Sequence, residues 1–529
     1  MTRREFLKTC AVGTAAISLP EALDWETALA STAATPDPIY RSLMAVALDT
    51  ATKLGATYAD MRICRYHVQD VFLRTQTDLR TGNVVNVPRV NESERFGFGV
   101  RVLADGAWGF AASPRVEKEE VARVAREAVA VAKTNAALER RPVQLASVKP
   151  SEALWRTPFR KDPFAVSVRE KIDFLQAINN EVRAVPKLFV VNSSLRARSE
   201  HKFFASTDGS YIEQYLQQII PEYEATAVDF QTRTRRERSY GVPAVTGGWE
   251  HVEQARMLEN ARRVGEECVE HLSAPPVTPG TKDLVILPSN LSLTIHESIG
   301  HGTELDRALG YEANFAGTSH LTPDKLGKFR MGSDLVNIVG DRTLAGGLST
   351  CGFDDEGVPT LRFDIIRRGT FVGYQTTRDQ AHLIGDQESH ACCYADSYDS
   401  IPFQRIPNVW LLPGSEPMTL DDLISGVDDG VLIDGLGSWS IDQQRYNFQF
   451  GGDAFWEIKG GKKGKMISRV AYQARADEFW RACDGIADSR FWENQGLTGD
   501  GKGQPPQTNA MSHGCAPARF RQINVLLTD

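Results

Sequence analysis

Asp283-Leu-Val-Ile-Leu-Pro288, followed by Ser289-Asn-Leu-Ser-Leu-Thr-Ile-His296-Glu-Ser-Ile-Gly-His301-Gly302, reads as a short apolar strand running into a helix that carries two histidines and a glutamate. The first half is a continuous apolar run of strand length, and Ser289 or Asn290 can cap the helix that follows. Two imidazoles beside a carboxylate form a zinc-hydrolase pattern, in which the histidines bind metal and the glutamate activates a water. The spacing is unusual. On a regular helix, residues i and i+4 stand about 40° apart, whereas i and i+5 diverge by about 140°. His296 and His301 can serve one ion only if the helix widens between them, or ends and bends at Gly300 or Gly302. A π turn of about 4.4 residues returns i and i+5 to roughly 50°, and glycines around His301 ease such a distortion. The spacing therefore predicts a local irregularity between His296 and Gly302.

Downstream of this element the character is short strands, turns and glycine. Upstream, Ala274-Pro-Pro-Val-Thr-Pro-Gly280 is the clearest boundary in the chain. Before it, helical periodicity over 38–55, 117–137, 166–185 and 249–272 alternates with extended segments. The extended segments are 58–73, 96–103, 108–111, 188–196 and 211–230, while 140–162 reads as a connector. Asp105-Gly106 makes a hairpin turn. The expected architecture is α+β: an N-terminal αβ domain (31–140), a middle αβ domain (141–275) and a β-rich C-terminal domain (281–529) with one irregular catalytic helix.

The chain has 529 residues, 42% hydrophobic and 24% charged, which suits a folded protein with large cores. Its 60 basic and 68 acidic residues leave a net charge of −8. That disfavours a general nucleic-acid surface. Thr2-Arg-Arg-Glu-Phe-Leu-Lys8 and the mild apolar run to Pro20 match a twin-arginine export signal, with Ala28-Leu29-Ala30 as a cleavage option. Residues 1–30 are thus expected to be removed and the product to be periplasmic or otherwise exported. No later run is apolar enough to span a bilayer. Of eight cysteines, the adjacent Cys392 and Cys393 are expected as separate thiols rather than a strained vicinal bridge.

His296-Glu297-x-x-Gly300-His301-Gly302-x-Glu304-x-Asp306 resembles the signature of the TldD/PmbA peptidase family, on its metal-binding TldD side. Gly352-Phe-Asp-Asp-Glu-Gly-Val-Pro-Thr360, Gly369-Thr-Phe-Val-Gly-Tyr374, Pro407-Asn408 and Leu412-Pro-Gly414 resemble later family segments. In the N-terminal half, Gly97-x-Gly-Val-Arg-Val-Leu-x-Asp-Gly106 and Gly109-Phe-Ala111 do the same. The resemblance implies a metallopeptidase that cleaves unfolded or short peptides in a closed chamber. It also implies a dimer, either with itself or with a metal-free TldE/PmbA-like relative.

One departure concerns the third ligand. Where active members carry Cys-Gly-Lys-Gly-Gln, this chain has Asp500-Gly-Lys-Gly-Gln504. Asp500 takes the cysteine's position, and two histidines with a carboxylate are a competent zinc set. A carboxylate is harder than a thiolate and brings manganese or iron closer. His513 and Cys515 are rivals for the place. The expected site is one divalent metal, Zn2+, on His296, His301 and Asp500, with Glu297 as general base. Glu304 and Asp306 are expected as supporting partners of the ligands. His320, His382 and His390 lack ligand spacing, Arg101 is expected in a structural ion pair, and Trp439, Phe455 and Trp456 are expected in the core. The alternative is an exported binding or assembly subunit that has lost its metal.

Overall fold

Alternation of apolar and polar residues over unusually long stretches sets the N-terminal architecture. In the computed structural model, which describes residues 35–528, β1 (Tyr58–Thr77) pairs along its whole length with β2 (Val84–Ala104) on one side and with β5 (Leu188–Ser206) on the other. β3 (Ala107–Ser113) extends this sheet beyond β2, across the hairpin turn at Asp105-Gly106. β6 (Tyr211–Asp229) extends it beyond β5. β4 (Glu152–Arg156), β7 (Thr234–Tyr240) and β8 (Val245–Thr246) all pair with β6. The proposed export signal lies outside the described residues.

Because side chains alternate along a strand, the odd-numbered residues of β1 share one face, and that face carries two separate helical layers. Near its start, α1 (Arg41–Lys53) and α2 (Lys118–Ala136) bury Met44, Ala47, Val124 and Ala128 against Met61, Ile63 and Val100. Near its far end, α3 (Val168–Arg183) and α4 (Met257–Ser273) bury Leu175, Ile178, Val264 and Cys268 against Val71, Leu195 and Ala225. The two αβ regions thus have distinct cores on one continuous sheet. α3 starts with a capping box from Ser167 and Glu170. The segment 249–272, expected as one helix, is two: Glu250–Gln254 ends before Arg256, whose left-handed φ of 51° restarts the chain as α4. The connector 140–162 also differs from expectation, since β4 inside it adds parallel to β6.

The even-numbered face of β1 and its neighbours meets the C-terminal region through polar groups. Arg62 Nη1 lies 3.3 Å and Lys202 Nζ 2.6 Å from the Asp355 carboxylate, and Gln214 Nε2 donates to Phe353 O at 2.9 Å. Arg101 forms the ion pair expected of it with Asp60 at 2.7 Å, and its Nη1 lies 3.4 Å from Glu356 Oε1. Glycine is required where this face comes closest: a Cβ on Gly99 would sit 2.4 Å from Tyr398 O.

The C-terminal region is built on a nine-stranded sheet. β9 (Gly280–Ile286) sits inside it, parallel to 429–434 and antiparallel to 518–527. With both edges and faces covered, Leu284, Val285 and Ile286 are fully buried, as the continuous apolar run requires. Phe455 and Trp456 lie in this core as expected, whereas Trp439 is 64% exposed on the strand 439–441 near one sheet edge. All seven cysteines from Cys64 onward are buried free thiols, Cys392 and Cys393 included. Among the described residues no helix is long and apolar enough to cross a membrane.

Candidate metal centre

β9 delivers the chain into α5 (Pro288–Ile295), which is almost wholly buried. Proline at the first helical position suits this start, since no amide there needs a partner. Neither Ser289 nor Asn290 caps the helix, contrary to expectation; Leu287 occupies the N-cap. Ser289 Oγ instead binds Asp434, and Asn290 Nδ2 donates to Gly435 O at 2.8 Å and Gly451 O at 2.7 Å. These bonds tie the helix start to the sheet.

α5 passes into a π turn over His296–Gly300 and then a 3-10 turn over His301–Thr303. The widening falls where the histidine spacing demands it. The His301 amide donates to the His296 carbonyl, the i→i−5 bond that defines such a turn. Nearby side chains satisfy the loosened backbone: Thr303 Oγ1 donates to Ile299 O at 2.8 Å and Gln375 Nε2 to Gly300 O at 2.6 Å. The rings of His296 and His301 are 4.6 Å apart between centroids.

Each ring is fixed by its Nδ1. His513 Nδ1 can only donate to Val409 O, at 2.9 Å, which leaves its Nε2 as acceptor for His296 Nδ1, also at 2.9 Å. His296 therefore presents an unprotonated Nε2. Burial, reinforced by neighbouring His301, pushes its pKa down to about 3. Burial also holds His513 well below the usual histidine range. His301 Nδ1 lies 2.8 Å from Glu304 Oε2, which leaves its Nε2 facing inward. Burial lowers the His301 pKa, but Asp500 and Glu304 outweigh that and raise it.

Asp500 arrives on a separate hairpin, 496–502 with 507–512, whose pairing is interrupted between Leu497 and Asp500. Such an irregularity re-aims a side chain. Asp500 Oδ1 lies 3.4 Å from His301 Nε2 and 3.8 Å from His296 Nε2. Its Oδ2 accepts from Arg405 Nη2 at 3.1 Å. Burial works against ionisation here, yet His301, His296 and Arg405 hold the carboxyl far below its usual range. Two residues on, and so on the same face of the strand, Lys502 Nζ is buried between Glu304 at 2.9 Å, Asp306 at 2.8 Å and Gln404 at 2.6 Å. The motif thus works twice: Asp500 enters the cluster, and Lys502 locks the hairpin to the chain after His301. Glu304 and Asp306 support the cluster rather than join it.

Glu297 is buried beside this cluster, with one carboxylate oxygen bound by Arg445 Nη1. Burial lowers the Arg445 pKa, and Glu297 opposes that. Cys515 is elsewhere, its Sγ 3.9 Å from Pro288 O. His320 and His390 are held by backbone carbonyls of Gln444 and Tyr374. Arg405 and Arg445 carry no motif in the sequence and were not anticipated. Lys502 stood inside a recognised motif, and its alternation with Asp500 was the available signal.

His296, His301 and Asp500 each offer a ligand atom, all within 4.8 Å of one another. A tetrahedron with bonds of about 2.0–2.1 Å has edges near 3.4 Å, and the two separations from Asp500 Oδ1, 3.4 and 3.8 Å, are close to that edge. The outward nitrogen of each histidine and the second oxygen of the aspartate are already hydrogen-bonded, as metal ligands require.

Sequence comparison agrees with this architecture. Residues 279–525 match the family model of the PmbA/TldA metallopeptidase C-terminal domain, residues 86–132 its domain 1 and residues 161–274 its central domain. A metalloprotease of Synechocystis is 25% identical over 474 residues, 88% of this chain and 96% of the relative. A metalloprotease TldD homolog of Buchnera aphidicola is 24% identical over 87% and 92% respectively. Among solved structures, TldE from Thermococcus kodakarensis superposes with a TM-score of 0.66 at 16% identity, covering 91% of this chain and 99% of that one. A proposed modulator of DNA gyrase from Bacteroides thetaiotaomicron gives 0.70, also at 16%, covering 93% and 99%. With three family models spanning most of its length, the chain belongs to the PmbA/TldA metallopeptidase family.

Proposed function

We propose that this protein is a metal-dependent, zinc-preferring peptidase of the TldD-like branch that hydrolyses unfolded or short peptides. The observation that carries the reading is the convergence of the His296 and His301 Nε2 atoms on one Asp500 carboxylate oxygen, at 3.8 and 3.4 Å, beside a buried glutamate. His296, His301 and Asp500 would hold the ion. Bound there, it supplies Lewis acidity to the scissile carbonyl and to water.

The remaining chemistry belongs to the chain. Glu297 accepts a proton from the attacking water and returns one to the leaving amine. His513 and Glu304 keep the two histidines in the tautomer that leaves Nε2 free. A groove of about 380 Å³ lies between the N-terminal sheet and the C-terminal region, lined by Ser193, Glu222, Tyr240, Leu293, His296 and Leu497 among others. An extended peptide lying there would reach His296. The export signal and a dimer, with itself or with a metal-free relative, complete the proposal. Export is tested by fractionating cells that carry Arg3→Lys and Arg4→Lys.

A second reading follows from one residue. The aspartate at position 500, where active members of the family carry cysteine, favours a binding subunit without metal. Metal content of the purified chain, measured beside cleavage of an unfolded peptide by the parent and by Glu297→Gln, separates the two. About one zinc per chain and Glu297-dependent cleavage support the peptidase. No metal after reconstitution and no cleavage support the binding subunit.

A further inference from the structure

We propose that Arg445 is a catalytic residue, donating a hydrogen bond to the oxyanion that forms on the scissile carbonyl. This rests on the peptidase reading above and adds a group to it.

Arg445 lies in the turn between strands 439–441 and 447–451, with a left-handed φ of 61°. The turn is pinned. Gln443 O and Gln444 O accept from the Thr318 and His320 amides at 2.9 Å each, and Asp442 accepts from the Tyr446 amide at 2.8 Å. A Cβ on Gly317 would sit 2.2 Å from Gln443 O, so glycine alone allows this approach. From this pinned turn the Arg445 side chain reaches Glu297 through Nη1. The side chain is 14% exposed.

A guanidinium whose role is only to neutralise a carboxylate tends to engage it with both arms. Arg445 reaches Glu297 through Nη1, and its Nε is buried with no hydrogen-bond partner. A buried unmade donor costs free energy, and in a site that handles developing negative charge the unmet capacity has a use. When the water oxygen bonds to the carbonyl carbon, the carbonyl π pair moves onto the carbonyl oxygen and one water proton passes to Glu297. The carbonyl oxygen then carries a full charge, and Glu297 no longer does. Arg445 is the cation in contact with Glu297 at that moment, held in a preorganised, largely dry environment where such a donor is most effective. When the C–N bond breaks, the pair returns from the oxyanion and the nitrogen takes the proton.

The alternative role is positioning, with Arg445 holding Glu297 and nothing else. The test removes that role first. In a Glu297→Gln background, loaded with zinc and with metal content verified, Arg445→Met is compared with Arg445 retained. The ligands are a phosphinic peptide, whose tetrahedral anionic centre mimics the oxyanion, and the parent peptide. The expected result is a loss of phosphinate affinity of about 100-fold with parent-peptide affinity unchanged. Equal affinities with and without Arg445, or an equal loss for both ligands, would overturn the proposal. A wild-type chain that holds zinc but binds the phosphinate no better than the parent peptide removes the peptidase reading itself, a separate outcome. In the wild-type background, Arg445→Met should lower kcat with KM preserved, and added guanidinium should restore part of it.

Discussion

His513 Nε2 accepts a hydrogen bond from His296 Nδ1 at 2.9 Å, and the bond has only one direction because His513 Nδ1 is spent on Val409 O. A residue considered as a third ligand thus sets the tautomer of the first one. Replacing His513 with Phe frees the His296 ring to turn and to protonate at Nε2. Zinc affinity should weaken by about 10- to 100-fold, measured by chelator competition. Unchanged affinity would show that packing alone orients His296.

Asp500 provides one oxygen to the cluster and the other to Arg405. Asp500→Ala should leave far less than one metal per chain. Asp500→Cys restores a soft donor, so its preference for zinc over manganese should exceed that of the parent. Competition between the two ions, read by elemental analysis after dialysis, checks both. Full occupancy in Asp500→Ala would remove Asp500 from the ligand set.

Lys502 is the buried cation between Glu304 and Asp306, fully inaccessible to solvent. Lys502→Met leaves the buried Asp306 carboxylate without a cation, while Glu304 keeps His301 and Arg307, and should cost about 3–5 kcal/mol in denaturant unfolding. The hairpin that carries Asp500 loosens with it, so metal should be lost at a lower denaturant concentration than unfolding. A single coincident transition would argue that the hairpin is held by other contacts.

Glu356 lies at the junction between the N-terminal sheet and the C-terminal region, 3.4 Å from Arg101. Burial raises its pKa to about 8; Arg101 opposes this and Asp354 adds to it. A carboxyl raised on folding takes up a proton as the chain folds. Its contribution is complete below the unfolded value, about 4.3, and is lost as pH rises through the folded one. Stability of the parent relative to Glu356→Gln, followed by thermal unfolding, should therefore decline between about pH 4.3 and pH 8. A difference independent of pH would mean that Glu356 is ionised in the fold.

Local pattern carried much of the architecture. The apolar run of Asp283–Pro288 reads as a short strand, and it lies buried inside the nine-stranded sheet. The five-residue histidine spacing required a local irregularity, either a widened turn or a bend at a glycine, and a π turn stands there. Elements whose existence depends on a distant partner were not legible. β4 is five residues in a proline-containing connector and is a strand because β6 offers an edge. The break at Arg256 shows only in its backbone conformation, and Trp439 is aromatic yet exposed because its strand lies near a sheet margin.

What the sequence determined by itself is the chemistry available along one helix: His296, Glu297 and His301 lie within six residues, so covalent geometry alone holds them together. The family's motif added Asp500 as a candidate ligand, in a short segment that also holds Lys502 and that the structure makes one hairpin. Only the tertiary structure decided where that hairpin goes. Its 198-residue separation from Glu304 is closed by buried charge at Lys502, and Asp500 follows by the two-residue repeat of a strand. The same holds for His513, Arg405 and Arg445, which reach the cluster from three separate segments. No local periodicity records such contacts, because they are made by packing of the whole chain.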